Sequence, residues 1–226
     1  VNFLRLMQFF FKLKQLFSYL LDIPIERTKS TFNPELNVFL SKGRFKLVSK
    51  NAIYSYADLY DNYYKAFEEI NFNTISPSSI LVLGLGLGSI PFMLEKKFNI
   101  NASYTCVEID PEIIRLFNKY IRKSLKSKLD IINDNATLFL KNHNKSYDII
   151  CMDIFEDAHI PLEFETLEFI KQIKNLLSTK GILIYNRLAE SKNDLIYNLD
   201  FDSKFITIFP NRYIVKLDSN WMYISN

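Results

Sequence analysis

The chain has 226 residues, of which 48% are hydrophobic and 23% are charged. These values are ordinary for a folded protein and exclude global disorder or a collagen-like chain. The net charge of +3 is too small to indicate nucleic-acid binding. Cys106 and Cys151 are too few for a disulfide framework or a zinc site. We therefore expect buried, reduced thiols in a cytoplasmic protein that holds no metal.

Residues 1–22 predict an amphipathic helix, because polar side chains recur at three- or four-residue steps or a multiple: Arg5, Gln8, Lys12, Gln15 and Asp22. These charges argue against both a secretory signal and a membrane span. We expect this helix to pack on its own domain or on a second subunit. The alternative is a helix on a membrane surface, with Arg5, Lys12 and Lys14 at anionic lipid.

Residues 23–37, with Pro24 and Pro34, predict a linker that completes an N-terminal segment of residues 1–37. A small β-rich element follows over residues 38–75. Turn residues separate three strand-like stretches and favour a hairpin or a three-stranded meander: Val38–Leu40, Arg44–Val48 and Ala52–Tyr56. Apolar side chains at helical spacing predict a helix over 57–70.

From residue 80 the pattern becomes strand, turn and helix, repeated. The predicted strands are Ile80–Leu83, Tyr104–Ile109, Leu129–Ile132, Tyr147–Met152, Gly181–Tyr185, Phe205–Phe209 and Trp221–Ile224. The predicted helices cover 89–97, 111–124, 136–142, 162–177 and 189–198. This alternation predicts that residues 76–226 form an α/β domain with a Rossmann-like, doubly wound, mainly parallel sheet.

The strongest chemical signal is the glycine turn after the first of these strands, which contains Gly84, Gly86 and Gly88. Glycines let the backbone pass close to a ligand, and Glu108 at the end of the second strand can accept both ribose hydroxyls of an adenosyl cofactor. Ser89 stands where the nicotinamide-binding pattern GxGxxG has its third glycine. The spacing therefore favours an S-adenosylmethionine pocket over a dinucleotide pocket.

Three blocks, ILVLGLGLGS, YTCVEIDPEII and SYDIICMDIFEDAHIP, resemble the spermidine synthase-like branch of the class I S-adenosylmethionine-dependent transferases. Their order and spacing match over about residues 80–161. The preceding GRFKLVSKNAIYSYADLY resembles the small β-domain that this family places before its Rossmann-like domain. The resemblance covers about residues 38–225 and leaves the N-terminal helix outside it.

The resemblance implies roles for individual residues. The three turn glycines bind the cofactor, Glu108 binds its ribose, and Asp134 with Asn135 lies where the family holds the adenine. Asp153 matches the acid that helps to deprotonate the attacking amine in aminopropyltransferases. The implied cofactor is S-adenosylmethionine or its decarboxylated form.

Two departures from the family pattern bear on the reaction. Leu87 replaces the aspartate that faces the cationic end of decarboxylated S-adenosylmethionine, so we expect S-adenosylmethionine to bind at least as well. The family's Tyr-His-Glu stretch corresponds to Tyr63-Tyr64-Lys65, which lacks the histidine and the glutamate. A polyamine pairs its ammonium groups with spaced carboxylates, and some of those are missing.

Other candidates follow two strands that end at the same edge of the sheet, where ligands bind in open α/β folds. Glu156 and Asp157 follow the fourth strand and are candidate substrate residues, with His159 as an alternative proton acceptor. Asn186 and Arg187 follow the fifth strand, where Asn186 can orient a substrate amine or carbonyl and Arg187 can meet a carboxylate. Tyr63 is a further candidate substrate residue. It belongs to a set of tyrosines that can form an aromatic wall over the pocket, although core packing is the default explanation for most of them: Tyr54, Tyr56, Tyr60, Tyr63 and Tyr64.

The sequence favours an S-adenosylmethionine-dependent methyltransferase that acts on a small amine or hydroxyl substrate, with Asp153 as catalytic base. An aminopropyltransferase of polyamine biosynthesis is the second interpretation. A third, from a different class of protein, is a catalytically silent adenosyl-binding module that docks a partner through its N-terminal helix.

Overall fold

The computed structural model describes residues 2–225, and only the backbone of residues 2–4, 7 and 8. Within this range the helices are α1 (Asn2–Phe17), α2 (Asp61–Glu68), α3 (Phe72–Ile75), α4 (Ser89–Lys96), α5 (Pro111–Tyr120), α6 (Ala136–Asn142), α7 (Leu167–Leu176) and α8 (Lys192–Ile208). The strands are β1 (Ile23–Thr28), β2 (Leu36–Ser41), β3 (Arg44–Val48), β4 (Ile53–Ser55), β5 (Ser79–Leu83), β6 (Ser103–Glu108), β7 (Leu129–Asn133), β8 (Tyr147–Met152), β9 (Leu177–Leu188), β10 (Tyr213–Lys216) and β11 (Asn220–Ser225).

The described residues form a large sheet of seven strands in the order β10-β11-β9-β8-β5-β6-β7. Strands β5 to β9 pair in parallel, whereas β11 is antiparallel to both β9 and β10. Within this sheet the chain begins at the central strand β5, continues through β6 to the edge strand β7, and then crosses to β8 on the other side of β5. This reversal confirms the predicted doubly wound, Rossmann-like fold, in which the crevice beside the central strand holds ligands.

Strand β5 is buried on both faces, as its continuous apolar run predicts. Its side chains alternate between two hydrophobic cores: Ile80 and Val82 belong to one, and Leu81 and Leu83 to the other. All four have no exposed surface. The carboxyl end of β5, where the glycine turn begins, is thereby held on a rigid support.

The segment predicted to be a linker contains strand β1, so that part of the prediction is wrong. This strand pairs antiparallel with β2, and β1 to β4 form a small sheet of four strands in the described chain, larger than the predicted hairpin or meander. Pro24 is tolerated because β1 is an edge strand, and a bulge lies between Pro24 and Glu26. The predicted boundary before residue 38 falls inside β2.

The predicted strand Phe205–Phe209 lies at the end of helix α8, so this prediction is also wrong. The short apolar run resembles a buried strand, but its outer members continue a spacing of four residues that begins at Phe201. The ring centroids of Phe201 and Phe205 lie 5.4 Å apart, and those of Phe205 and Phe209 lie 4.9 Å apart. Packing along one helix face decides the structure here.

The small sheet shares a hydrophobic core with the large one. Leu36, Val38 and Leu47 from the small sheet lie in the same cluster as Ile80 and Val82. The junction also has a polar tie, because the fully buried Asp110 accepts hydrogen bonds from Ser30 Oγ and, at 2.7 Å, from Asn33 Nδ2. The other oxygen of Asp110 caps helix α5 through the N–H of Glu112, at 2.9 Å.

Replacing Asp110 with alanine removes this tie and the helix cap together. We expect Asp110→Ala to lower the free energy of unfolding by about 2–3 kcal/mol, because hydrogen bonds to a charged group and an N-cap are both lost. Urea denaturation measures this change. Asp218→Ala, in an exposed loop, is the control and should change the free energy of unfolding by less than about 0.5 kcal/mol. Equal changes in the free energy of unfolding for the two substitutions would contradict a stabilising role of the Asp110 hydrogen bonds.

Candidate active site

A cavity of about 280 Å³ lies at the carboxyl ends of β5, β6, β7 and β8. This volume is at the lower end for small-molecule sites. Parallel strands bring together here residues that are far apart in the sequence. The cavity is lined by predicted cofactor and catalytic residues: Gly84, Gly86, Glu108, Asp134, Asn135 and Asp153. The predicted substrate residue Glu156 also lines it.

Two glycines of the turn allow close backbone approaches that no other residue would permit. Gly84 has a φ of 88°, and a Cβ there would lie 2.3 Å from the carbonyl oxygen of Asp153. Gly86 has a φ of 52°, and a Cβ there would lie 2.8 Å from the carbonyl oxygen of Tyr54. Gly88 is the N-cap of α4 and faces the Phe117 ring, outside the residues that line the cavity.

Glu108 is a buried carboxylate at the wall of the cavity, with 8% of its surface exposed. One oxygen accepts the N–H of Leu85 in the glycine turn, and the other accepts the N–H of Asp110, each at 3.0 Å. Burial raises its pKa to about 6, although these backbone donors favour the charged form. It is therefore mostly ionised at neutral pH, and each oxygen keeps a lone pair for a ligand hydroxyl.

Asp134 and Asn135 lie side by side at the end of β7. Asp134 accepts the N–H of Asn135 at 2.8 Å, and Asn135 Oδ1 caps α6 by accepting the N–H groups of Thr137 and Leu138. The Asn135 amide also donates to Glu163 at 3.2 Å. Because Asn135 Oδ1 already accepts these two hydrogen bonds from α6, Asp134 is better placed than Asn135 to contact an adenine.

Asp153 is held by hydrogen bonds from two side chains. Its Oδ1 accepts hydrogen bonds from Asn186 Nδ2 at 2.8 Å and from the Tyr60 hydroxyl at 3.3 Å. Asn220 Nδ2 in turn donates to Asn186 Oδ1 at 2.8 Å and so fixes the amide orientation. Burial raises the pKa of Asp153 to about 7, and the two hydrogen bonds oppose that rise. A carboxyl with this pKa exchanges a proton readily at neutral pH.

The other predicted acids differ in their surroundings. Glu156 is exposed, and its carboxylate lies 3.5 Å from the exposed His159 imidazole. Asp157 faces away from the cavity lining, toward the turn between β3 and β4. There it accepts hydrogen bonds from Ser49 Oγ at 2.7 Å and from the N–H of Asn51 at 2.9 Å. Asp157 therefore ties the loop after β8 to the small sheet.

Tyr63 is fully buried and does not line the cavity; its hydroxyl donates to the carbonyl oxygens of Met152 and Ile184. The residue three positions earlier, Tyr60, contacts Asp153 instead. Asn186 reaches the site only through Asp153 and has no exposed surface. The tyrosines considered as an aromatic wall thus divide into core residues and two site residues, Tyr54 and Tyr60.

The structure adds lining residues that sequence patterns did not indicate. Phe32 and Asn33 come from the segment predicted to be a linker, and Glu163 and Phe164 follow the loop after β8. The Tyr54 hydroxyl donates to Asn33 Oδ1 at 2.9 Å and accepts the N–H of Asp157 at 2.6 Å. No spacing rule connects these residues, because folding brings them together from separate elements.

The charged residues that line the cavity in the described chain are all acidic: Glu108, Asp134, Asp153, Glu156 and Glu163. Arg187 lies elsewhere, where its guanidinium pairs with Glu165 at 2.7 Å and donates to Asn198. Leu87 is buried in the hydrophobic core. The cavity therefore favours a ligand with positive charge.

These features fit an adenosyl cofactor. A buried carboxylate with spare lone pairs lies beside the glycine turn, and Gly84 and Gly86 of that turn line the same cavity. The acidic lining complements a sulfonium. The residues that would hold the group are Glu108, the turn at Gly84 and Gly86, and Asp134.

The strand order and the position of the cavity define the class I methyltransferase-like fold. A model of the spermine/spermidine synthase domain matches residues 62–209, and the chain belongs to this family. The predicted family resemblance is thereby confirmed.

Relatives of known function fall into two groups. The chain is 31% identical over 119 residues to a polyamine aminopropyltransferase of Vibrio vulnificus, which covers 51% of this chain and 40% of the relative. It is 32% identical over 113 residues to an N-terminal histidine N-methyltransferase of Emericella nidulans, which covers 48% of this chain and 20% of the relative. The chain thus spans less than half the length of these relatives.

Solved structures show the same fold. A spermidine synthase in complex with the transition-state analogue AdoDATO aligns with a TM-score of 0.70 at 14% identity, covering 90% of this chain and 73% of the other. Human methyltransferase-like protein 13 in complex with SAH aligns with a TM-score of 0.62 at 20% identity, covering 73% and 82%. These two likenesses show that the chain shares the fold of both structures.

The raised pKa of Asp153 makes stability depend on pH. Between about pH 4 and about pH 7 the folded protein keeps a proton on Asp153 that the unfolded chain has released. The free energy of unfolding of the wild type should therefore fall across this window relative to Asp153→Asn, and the difference should level off above about pH 7. Urea denaturation at several pH values measures it.

Glu108 titrates in both proteins, so its contribution cancels in this comparison. Asp218→Asn, which changes an exposed carboxylate, is the matched control, and the change with pH should be larger for Asp153→Asn than for this control. A change with pH for Asp153→Asn that is no larger than that of the control would show that the pKa of Asp153 is not raised in the folded protein.

Proposed function

We propose that the chain is an adenosyl-cofactor-dependent transferase that alkylates an amine acceptor. One observation carries the proposal: Asp153, with a pKa raised to about 7, lines the same cavity as the ribose-binding candidate Glu108. The close approach of Gly84 to the backbone of Asp153 joins these two parts of the site.

Each residue has a distinct part in this proposal. When bound, the cofactor supplies an electrophilic carbon on its sulfonium. Glu108 accepts the ribose hydroxyls, and Asp134 contacts the adenine. Asp153 binds the acceptor ammonium and takes one of its protons, which frees the lone pair of the nitrogen for attack. Asn186 and Tyr60 keep the Asp153 carboxylate oriented, and the walls of the cavity hold the reacting groups in line.

Methyl transfer is the favoured reaction. Leu87 packs in the hydrophobic core, at the position where aminopropyltransferases resembling this chain have an aspartate for the ammonium of decarboxylated S-adenosylmethionine. Without that carboxylate, the chain lacks the main source of preference for the decarboxylated donor. The acceptor is a cationic amine, because the described lining offers carboxylates and no basic side chain.

Aminopropyl transfer to a polyamine is the second candidate, and the same acidic lining supports it. S-adenosylmethionine carries a carboxylate, and no Lys or Arg among the described lining residues pairs with it. The N–H of Leu85 in the glycine turn is engaged by Glu108. A donor without a carboxylate avoids this unfavourable contact. Donor preference therefore decides between the two reactions.

We expect wild-type protein to bind S-adenosylmethionine at least as tightly as its decarboxylated form. Glu108→Ala should weaken binding of both donors by about 1.5–3 kcal/mol, because both lose the same hydrogen bonds to the ribose. Isothermal titration calorimetry with each donor measures the two affinities.

Glu190→Ala, which removes an exposed glutamate, is the control and should leave both affinities unchanged. A clear preference of the wild type for the decarboxylated donor would favour aminopropyl transfer. Failure of the wild type to bind either donor would contradict the proposed function as a whole.

Asp153→Asn should lower turnover by about 10²–10⁴ while cofactor affinity changes little, because asparagine keeps the shape but cannot take a proton. The measurement begins with a screen of amines and hydroxyl compounds for methyl or aminopropyl transfer by mass spectrometry. The rate of the best acceptor is then compared between variants.

Asp157→Asn is the matched control, because Asp157 lies on the same loop but bonds the small sheet. Its rate should stay within a few-fold of the wild type. Equal losses in the two variants would mean that Asp153 acts by supporting the loop. Donor binding by a wild type that transfers nothing would support the catalytically silent alternative.

A further inference from the structure

Helix α1 carries an apolar face that no other part of the described chain covers. Six large side chains on it are between 39% and 68% exposed: Leu6, Phe9, Phe10, Leu13, Leu16 and Phe17. At about 100° per residue, they form a stripe roughly 120° wide along the helix. Exposed apolar surface of this extent marks an interaction site.

The opposite face of α1 and the residue that directly follows the helix hold it to the small sheet. The buried Ser18 accepts the N–H of Gly43 on its hydroxyl at 2.8 Å and the N–H of Lys42 on its carbonyl oxygen at 2.7 Å. The rings of Phe11 and Phe45 lie 6.2 Å apart. The prediction that the helix packs on its own domain therefore describes one face only, and the domain presents the other face outward.

The charges on α1 lie at the two edges of the exposed stripe. At 100° per residue, Arg5 and Lys12 fall on one edge and Lys14 on the other, and Lys12 and Lys14 are both exposed. Residues 1–21 contain no aspartate or glutamate. A second copy packed face to face on this stripe would bring like charges together, which is unfavourable.

We propose that α1 lies flat on an anionic membrane surface and anchors the domain there. The apolar stripe enters the boundary between headgroups and acyl chains, while Arg5, Lys12 and Lys14 reach anionic headgroups on either side. Among the described residues, no helix is long and apolar enough to cross a membrane, so α1 would bind in the plane of the surface. This inference does not depend on the proposed reaction.

The test is flotation of the full chain with vesicles of phosphatidylcholine, with and without phosphatidylserine. Wild type should float with the vesicles that contain phosphatidylserine, and high salt should weaken binding. Phe9→Glu with Leu16→Glu should reduce partitioning by more than about tenfold. Lys12→Gln with Lys14→Gln should reduce it roughly fivefold per cation.

Ile196→Glu with Leu199→Glu is the matched control, because it adds the same charges at exposed apolar positions of α8. This variant should float like the wild type, and thermal melting checks that all variants fold. Three results would overturn the proposal: no flotation of the wild type, equal flotation without phosphatidylserine, or an equal loss in the α8 variant. A wild-type dimer that the α1 substitutions dissociate, without vesicle binding, would assign the stripe to a second copy.

Discussion

The site depends on one close contact between two backbone segments. Gly84, at the end of the central strand, passes so near the carbonyl oxygen of Asp153 that even a methyl group would not fit between them. This contact places the glycine turn and the end of β8 side by side. Glu108 then accepts the N–H of Leu85 in the turn, and Asn186 orients Asp153. The cavity lies between these supports.

Much of this arrangement could be predicted from the sequence, because local patterns encode it. A buried strand, a glycine turn and an acid after the next strand predict both the parallel sheet and the positions of Gly84 and Glu108. Tyr54 is among the tyrosines considered as a wall of the pocket, but the contribution of Asn33 could not be predicted, since the segment that contains Pro24 and Pro34 resembles a linker. The segment Phe205–Phe209 was predicted to be a strand for a similar reason, because five residues are too few to show the helical spacing that starts at Phe201.

The electrostatic character of the cavity is as informative as its shape. Carboxylates surround it, and the pKa values of Glu108 and Asp153 are both raised by burial. The two acids are supported differently, however. Backbone N–H groups hold Glu108, whereas side-chain amide and hydroxyl groups hold Asp153. In both acids these donors favour the charged form and oppose the effect of burial on the pKa.

The core shared by the two sheets has a consequence for the evolution of this chain. Leu36, Val38 and Leu47 fill space against Ile80 and Val82, so the small sheet has no separate interior of its own. Recombination between relatives at the junction of the two sheets would join two halves of this core that had evolved in different proteins. Exchange of the N-terminal sheet is therefore constrained by this core, whereas the exposed stripe of α1 is constrained only by the surface to which it binds.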